Sequence, residues 1–318
     1  VLHLKEKADM ILWWIFFAIF ILAMLILDLG VFSRRAHAVK IKESLHWTAF
    51  WILLSLLFCI SVYIFYGHQK AMEFLAGYLI EYSLSVDNLF VFLLFFRYFS
   101  VPAEYEQKSL IWGIIIALIM RGIFIFAGIA LINKFHWIIY VFGAFLIFTA
   151  IQIARGKEHE VHPEKNIMIK LLRIFMPISH EYSGGKFFTV KKGKRFATPL
   201  LVVILVLGTT DVFFAVDSIP AVLAVTMDPF IVYTSNVFAV LGLRSLFFAI
   251  SGLMKLFHYL QYGLAVILSF VGIKMLITDF YKIHVSVSLV IIAIVLALSI
   301  IASLLWPYKQ EQTIVKDE

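Results

Sequence analysis

Cysteine occurs once in these 318 residues, at Cys59, which excludes a disulfide framework within the chain and any metal site built on two thiolates. Charge is scarce too. Only 15% of residues are Asp, Glu, Lys or Arg, against 63% apolar, and mean hydropathy is +0.97. That balance excludes a water-soluble domain of ordinary composition. All ten His fall in loops or near the ends of apolar runs, which argues against a zinc, copper or haem site at mid-depth. A net charge of +7 would suggest nucleic acid in a soluble chain. Here its distribution reports topology instead, and no nucleic-acid partner is expected.

What the chain has in abundance is apolar length. Runs recur at residues 11–32, 45–66, 74–97, 109–132, 137–154, 198–226, 231–252, 259–278 and 285–306, most of them near the ~20 residues that a bilayer helix needs. The first run is too long for a signal-peptide core, and no small-residue cleavage site follows it. Alternating these nine spans puts residues 33–44, 97–108, 155–197, 253–258 and 307–318 on one side, with nineteen Lys and Arg against five on the other. The basic side is cytoplasmic by the positive-inside rule, so the N-terminus is expected outside and the C-terminus inside a plasma (inner) membrane.

The runs also repeat. "SVDNLFVFL" at 85–93 matches "AVDSIPAVL" at 215–223, which sets Asp87 on Asp217, Asn88 on Ser218 and Glu81 on Asp211 at one offset. "LIMRGIF" with Arg121 then matches "LGLRSLF" with Arg244, and "FHWIIY" matches "FHYLQY". Three spans make an odd number, so the second copy should lie inverted relative to the first, with a site at mid-depth where the copies meet. The expected fold is therefore an all-α polytopic membrane protein, one membrane domain over 1–318 with about nine transmembrane helices. Two helices fill 11–66, one three-helix repeat 73–154, a cytoplasmic loop 155–197, the inverted repeat 198–279 and a last helix 285–306.

Acid inside the spans demands compensation. An Asp at mid-span costs about 2.5–3.5 kcal/mol, so Glu81, Asp87, Asp211 and Asp217 together represent roughly 10 kcal/mol if unpaired. Two readings stay open: internal ion pairs with Arg121 and Arg244, or an ion pathway. Residues six apart point about 120° away from each other on a helix, so one helix cannot chelate with both of its acids. Pairing across the repeats puts Asp87 opposite Asp217, with Glu81 and Asp211 flanking. Pro220 should free the carbonyl of Val216 and open the helix beside Asp217. With Asn88, Ser218 and Asn236, the donors are all hard oxygens, suited to Mn²⁺, Ca²⁺ or Mg²⁺. Two apposed carboxylates also set protons and a dication in competition, the physical minimum for exchange.

The stretches "GYLIEYSLSVDNLFVF", "TTDVFFAVDSIPAVLAVTMDPFIVYTSNVFAVLGLRSLFF" and "YGLAVILSFVGIKMLITDFY", with "RRAHAV" and "FGAFLIFTA", resemble the TerC family of membrane proteins, close to its Alx branch. The resemblance implies a nine-helix inner-membrane protein of the LysE-like transporter group that exports Mn²⁺, linked in some members to tellurite resistance or to metal supply for secreted enzymes. It implies core roles for Asp87, Asn88, Asp211, Asp217, Ser218 and Asn236. Relatives often carry Glu where this chain has Gly208, which weakens the expectation of selectivity.

Other features have plainer readings. Asp28 is expected at the interface near Arg34 and Arg35. Lys274 is expected to snorkel. His159 and His162 in "GKEHEVHPEK" read as solvated loop. "GGKFFTVKKGKRFATP" reads as a basic hairpin that favours anionic lipid. Trp13, Trp14, Trp47, Trp137 and Trp306 read as interfacial anchors. Two functions follow. One is a secondary carrier for Mn²⁺ or Ca²⁺ in the lipid bilayer, with no tightly bound cofactor and no catalytic residue. The other is a membrane scaffold or metal-dependent assembly factor that works through the 155–197 loop without transporting.

Overall fold

A computed structural model describes residues 2–32, 41–155, 167–179, 181–191, 193–251 and 259–305. The side chains of some helical residues, Asp28, Asp87 and Phe90 among them, lie outside that description, as do His159, His162, Arg34, Arg35 and Trp306. Apolar sequence on every side leaves each segment to satisfy its own backbone, and the helix does so without a neighbour. The described residues form α1 (Leu2–Phe32), α2 (Ile41–Tyr66), α3 (His68–Tyr98), α4 (Ala103–Lys134), α5 (Ile138–Ala154), α6 (Ile167–Phe175), α7 (Pro199–Leu223), α8 (Pro229–Ser251), α9 (Leu260–Leu276) and α10 (Val285–Leu305). One antiparallel hairpin, β1 (Phe188–Lys191) with β2 (Lys194–Ala197), stands where "KKGK" suggests it.

Among the described residues, six helices are long and apolar enough to cross a membrane: α2, α3, α4, α7, α8 and α10. Shorter apolar stretches at Ile11–Ile26, Ile138–Ala154 and Gln261–Leu276 fall where the sequence suggests three more spans. At 17 residues, α5 and α9 are each about 26 Å long, a little under the ~30 Å hydrocarbon thickness.

Burial separates centre from rim. In the apolar window of α8, 89% of residues are buried, and in that of α3 75%, against 22% in α2 and α10. The most extensive helix pairings are α5 with α9, α3 with α8 and α4 with α7. Helix α2 lies against α3 and α8, and α10 against α3 and α9. Trp13, Trp14 and Phe17 of α1 pack on Phe230 of α8.

The turn from α2 to α3 is a single residue, Gly67, at φ +85°, a conformation that costs any other residue its Cβ clearance. Pro220 does not break α7. The helix runs through it to Leu223, so no break opens beside Asp217; proline has no N–H for the Val216 carbonyl, and that acceptor loses its usual donor within a continuous helix. Lys274 is likewise not a snorkelling side chain. It is buried, and its Nζ donates to Ser288 Oγ of α10 at 3.0 Å.

Helices α5 and α9 cross through glycine. A Cβ on Gly272 would lie 2.7 Å from the Gly143 carbonyl oxygen, and one on Gly143 2.9 Å from the Gly272 carbonyl. A methyl here meets backbone, which cannot rotate away. Gly272→Ala is expected to lower stability by about 1–3 kcal/mol, as overpacking does, and to reduce the thermal midpoint of the detergent-solubilised protein. An unchanged midpoint would show that the crossing has slack.

Candidate functional site

The centre of the bundle is held by one guanidinium. Arg121, on α4, is fully buried, as is Glu81 on α3, and Asp211 on α7 is 4% exposed. Arg121 Nε donates to Asp211 Oδ2 at 2.7 Å and Nη2 to Asp211 Oδ1 at 3.0 Å, a two-pronged contact that matches the planar fork to the carboxylate. Its Nη1 donates to Glu81 Oε1 and, at 3.4 Å, to Asn236 Oδ1 on α8. Ser85 Oγ, one turn after Glu81, donates to the same Oε1 at 3.0 Å. Four helices therefore converge on one cation.

The polar inventory does not close on itself. Glu81 Oε2, Asn236 Nδ2 and Ser218 Oγ are buried atoms without a hydrogen-bond partner among the described residues. All three belong to residues that the sequence singles out as ion ligands. A buried group left in that condition costs about 1–3 kcal/mol, more when charged. A cavity of about 10 Å³, at the limit for one water, lies between Leu89 and Phe92 of α3 and Gly113 and Ala117 of α4. Asp211 and Arg244 line it as well, which places the second mid-span arginine beside the cluster. A space of that size admits no hydrated ion.

The other expected ligands are distributed differently. Asp217 is half-buried and its Oδ1 accepts from Thr149 Oγ1 of α5 at 3.2 Å, so it faces the α5 side of α7. Asn88 is buried on α3. The Asp87 side chain lies outside the described residues, and with it the expected apposition to Asp217. Among the described residues no three His, Cys, Asp or Glu side chains gather to hold a metal ion.

Gly208 has a packing reason. A Cβ there would meet Ile116 Cγ2 at 2.6 Å, where α4 and α7 come together. Glu at this position would need Ile116 to yield.

Two sets of polar ties at the bundle's ends escape a reading by spans. At one end Lys70 Nζ lies 2.9 Å from Glu73 Oε2 and 3.0 Å from Asp228 Oδ2. Thr226 Oγ1 donates to Glu73 Oε2 at 2.6 Å, and Asp228 Oδ1 caps α8 by accepting from Phe230 N at 3.1 Å. Glu73 is buried, and its place one turn after Lys70 at the start of a span is the signal that could have flagged it. At the same end the loop residue Asp279 accepts from the Tyr140 hydroxyl and lies 3.2 Å from His136 Nε2, contacts that hold its carboxyl below the usual range. At the opposite end the Tyr182 hydroxyl donates to Phe99 O at 2.9 Å and Lys108 Nζ to Gly185 O at 2.7 Å. Burial pushes the Tyr182 hydroxyl up to about 12, so it remains a donor.

Comparison with known proteins gives one consistent result. Residues 66–312 match the integral membrane protein TerC family. An uncharacterised membrane protein of Myxococcus xanthus is 50% identical over 292 residues, 92% of each chain. A proposed membrane-bound redox modulator named Alx is 45% identical in Salmonella typhi, over 91% of this chain and 92% of that one. Its Escherichia coli K12 counterpart is 43% identical, over 94% of this chain and 96% of that one. No solved structure matches.

Removing the shared cation should be far worse than removing one of its anions. Arg121→Gln strands Glu81 and Asp211 together and is expected to cost about 3–5 kcal/mol, whereas Glu81→Gln leaves the two-pronged Asp211 contact in place and costs less. Thermal unfolding in one detergent measures both, and the reverse order would refute the central role of the guanidinium.

Proposed function

Since the chain belongs to the TerC family of integral membrane proteins, we propose that it is a secondary transporter that moves divalent manganese out of the cytoplasm in exchange for protons. The observation that carries this reading is the convergence of Glu81 and Asp211, from two different helices, on one buried guanidinium at the centre of a membrane bundle. Intramembrane carboxylates mark ion paths by default, and their oxygens are hard donors that suit Mn²⁺ and, by the same chemistry, Ca²⁺. The unpartnered Glu81 Oε2 and Ser218 Oγ add two more oxygens.

The architecture belongs to the proposal as nine spans with the N-terminus outside. Exchanging α3, α4 and α5 for α7, α8 and α9 carries the α3–α8 pairing onto α7–α4 and leaves α5–α9 as it is, which supports two inverted repeats. On this reading Arg121 occupies the carboxylates in a closed, unladen state. Cargo or protons compete with it for the same oxygens. Asp87 and Asp217 extend the acidic path along the two repeats, Asn88, Ser218 and Asn236 line it, and Arg244 counterbalances charge.

The relatives' description as proposed redox modulators finds one thiol in these residues, Cys59, whose Sγ donates to Ala71 O at 3.5 Å. A lone cysteine forms no internal disulfide. A scaffold working through residues 155–197 is the remaining alternative, and transport assays separate the two.

Cells loaded with manganese should retain several-fold more metal when they carry Asp87→Asn or Asp217→Asn than when they carry the parent chain. Equal retention would remove the transporter reading. In reconstituted vesicles with an imposed pH gradient, manganese uptake should collapse when the gradient is dissipated, and a calcium arm reports selectivity.

A further inference from the structure

The segment between the two triplets of central helices carries a second kind of surface. Helix α6 has nine residues, IMIKLLRIF, and no acid. At 100° per residue its side chains divide the circumference into arcs. Ile169 and Leu172 share one arc and pack into the hydrophobic core. Leu171, Ile174 and Phe175 occupy an arc roughly opposite and are 45%, 77% and 75% exposed. Lys170 and Arg173 fill the flank between them, and both are exposed. A helix on the skin of a water-soluble body has one apolar face. This one has two.

The neighbouring hairpin repeats the pattern. Phe188 and Val190, alternate residues on one face of β1, are 50% and 65% exposed, while Lys194 and Arg195 stand out from β2. Glu181, the one acid among the described residues of 167–197, is taken by Lys191 at 2.8 Å.

Position decides what can cover these groups. Helix α6 packs on α7, and Lys108 of α4 reaches both the Gly185 carbonyl and, at 4.7 Å, the ring of Phe187. The segment is therefore moored to the ends of α4 and α7, two of the helices long and apolar enough to cross a membrane. Exposure approaching that of Ile174 occurs on the outer faces of the spans themselves, as at Ile64, 68% exposed.

We propose that α6 and the β1–β2 hairpin form a lipid-docking surface that embeds Leu171, Ile174 and Phe175 in the acyl boundary and binds anionic phospholipid headgroups through Lys170, Arg173, Lys194 and Arg195. Apolar area and basic charge on one element are the combination that holds interfacial helices in the membrane plane. Each cation near an anionic surface contributes through charge attraction that salt screens. The proposal is independent of transport.

Full-length protein with Cys59→Ser and Ile174→Cys, carrying an environment-sensitive fluorophore, tests it in nanodiscs. Emission should be blue-shifted and quenched by brominated acyl chains, more strongly with phosphatidylglycerol than with phosphatidylcholine alone. Lys170→Glu with Arg173→Glu should abolish that lipid preference and lower the number of phosphatidylglycerol molecules retained in native mass spectrometry. Emission typical of water would overturn the proposal, as would a blue shift that bromine does not quench, which would mean cover by protein or by a second copy. Retention of phosphatidylglycerol by the double variant at the parent level would overturn the assignment of the cations.

Discussion

Everything at the centre of this molecule depends on a positive charge that has no access to water. Arg121 reaches carboxylates on α3 and α7 and an amide on α8, so four helices share a contact that none could satisfy alone. In surroundings of low dielectric a lone guanidinium or carboxylate would be costly by several kcal/mol. Their combination removes most of that cost and fixes how the helices are rotated. Glu81 and Asp211 must face each other, and that orientation turns Asp217, six residues further along α7, toward Thr149.

The same contact sets the conditions for chemistry. On the transporter proposal, an ion that needs oxygen ligands here competes with a tethered cation that already has them, which would couple occupancy to helix movement. On the same proposal the water-sized cavity beside Asp211 and Arg244 belongs to a closed state. Ties at both ends fit that state: Lys70 clasps Glu73 and Asp228 at one, and Tyr182 and Lys108 tie the segment between α5 and α7 to the ends of α3 and α4 at the other. Access to the centre from either side requires some of these to part.

Much of this was legible in the residues. Carboxylates inside apolar runs stand out because they are expensive, but the spacing set Asp87 opposite Asp217 and left Glu81 and Asp211 only flanking places, whereas these two share Arg121 and the Asp87 side chain lies outside the described residues. The family was legible as well, in long stretches such as "TTDVFFAVDSIP". What the sequence could not supply was the partition of partners. Nothing in the spacing says that one arginine takes both acids, or that Gly208 is held to hydrogen by Ile116 rather than simply lacking a carboxylate. Span logic also misplaced the edges. Lys274 and Glu73 look interfacial by position, but neighbouring helices cover them, and cover by neighbours is a tertiary property. Pro220 read as a break because it removes one hydrogen bond, but one missing N–H does not end α7, which continues to Leu223.

The glycine crossing of α5 and α9 has a mechanical meaning. Two helices in backbone contact, with no side chain between them to repack, resist sliding along one another yet tolerate a change of angle about the point of touch. On the transporter proposal, Gly143 and Gly272 supply a fulcrum between α3–α5 and α7–α9. Rocking about it would lengthen or shorten the reach from Arg121 to its anions while the hinge itself stays put.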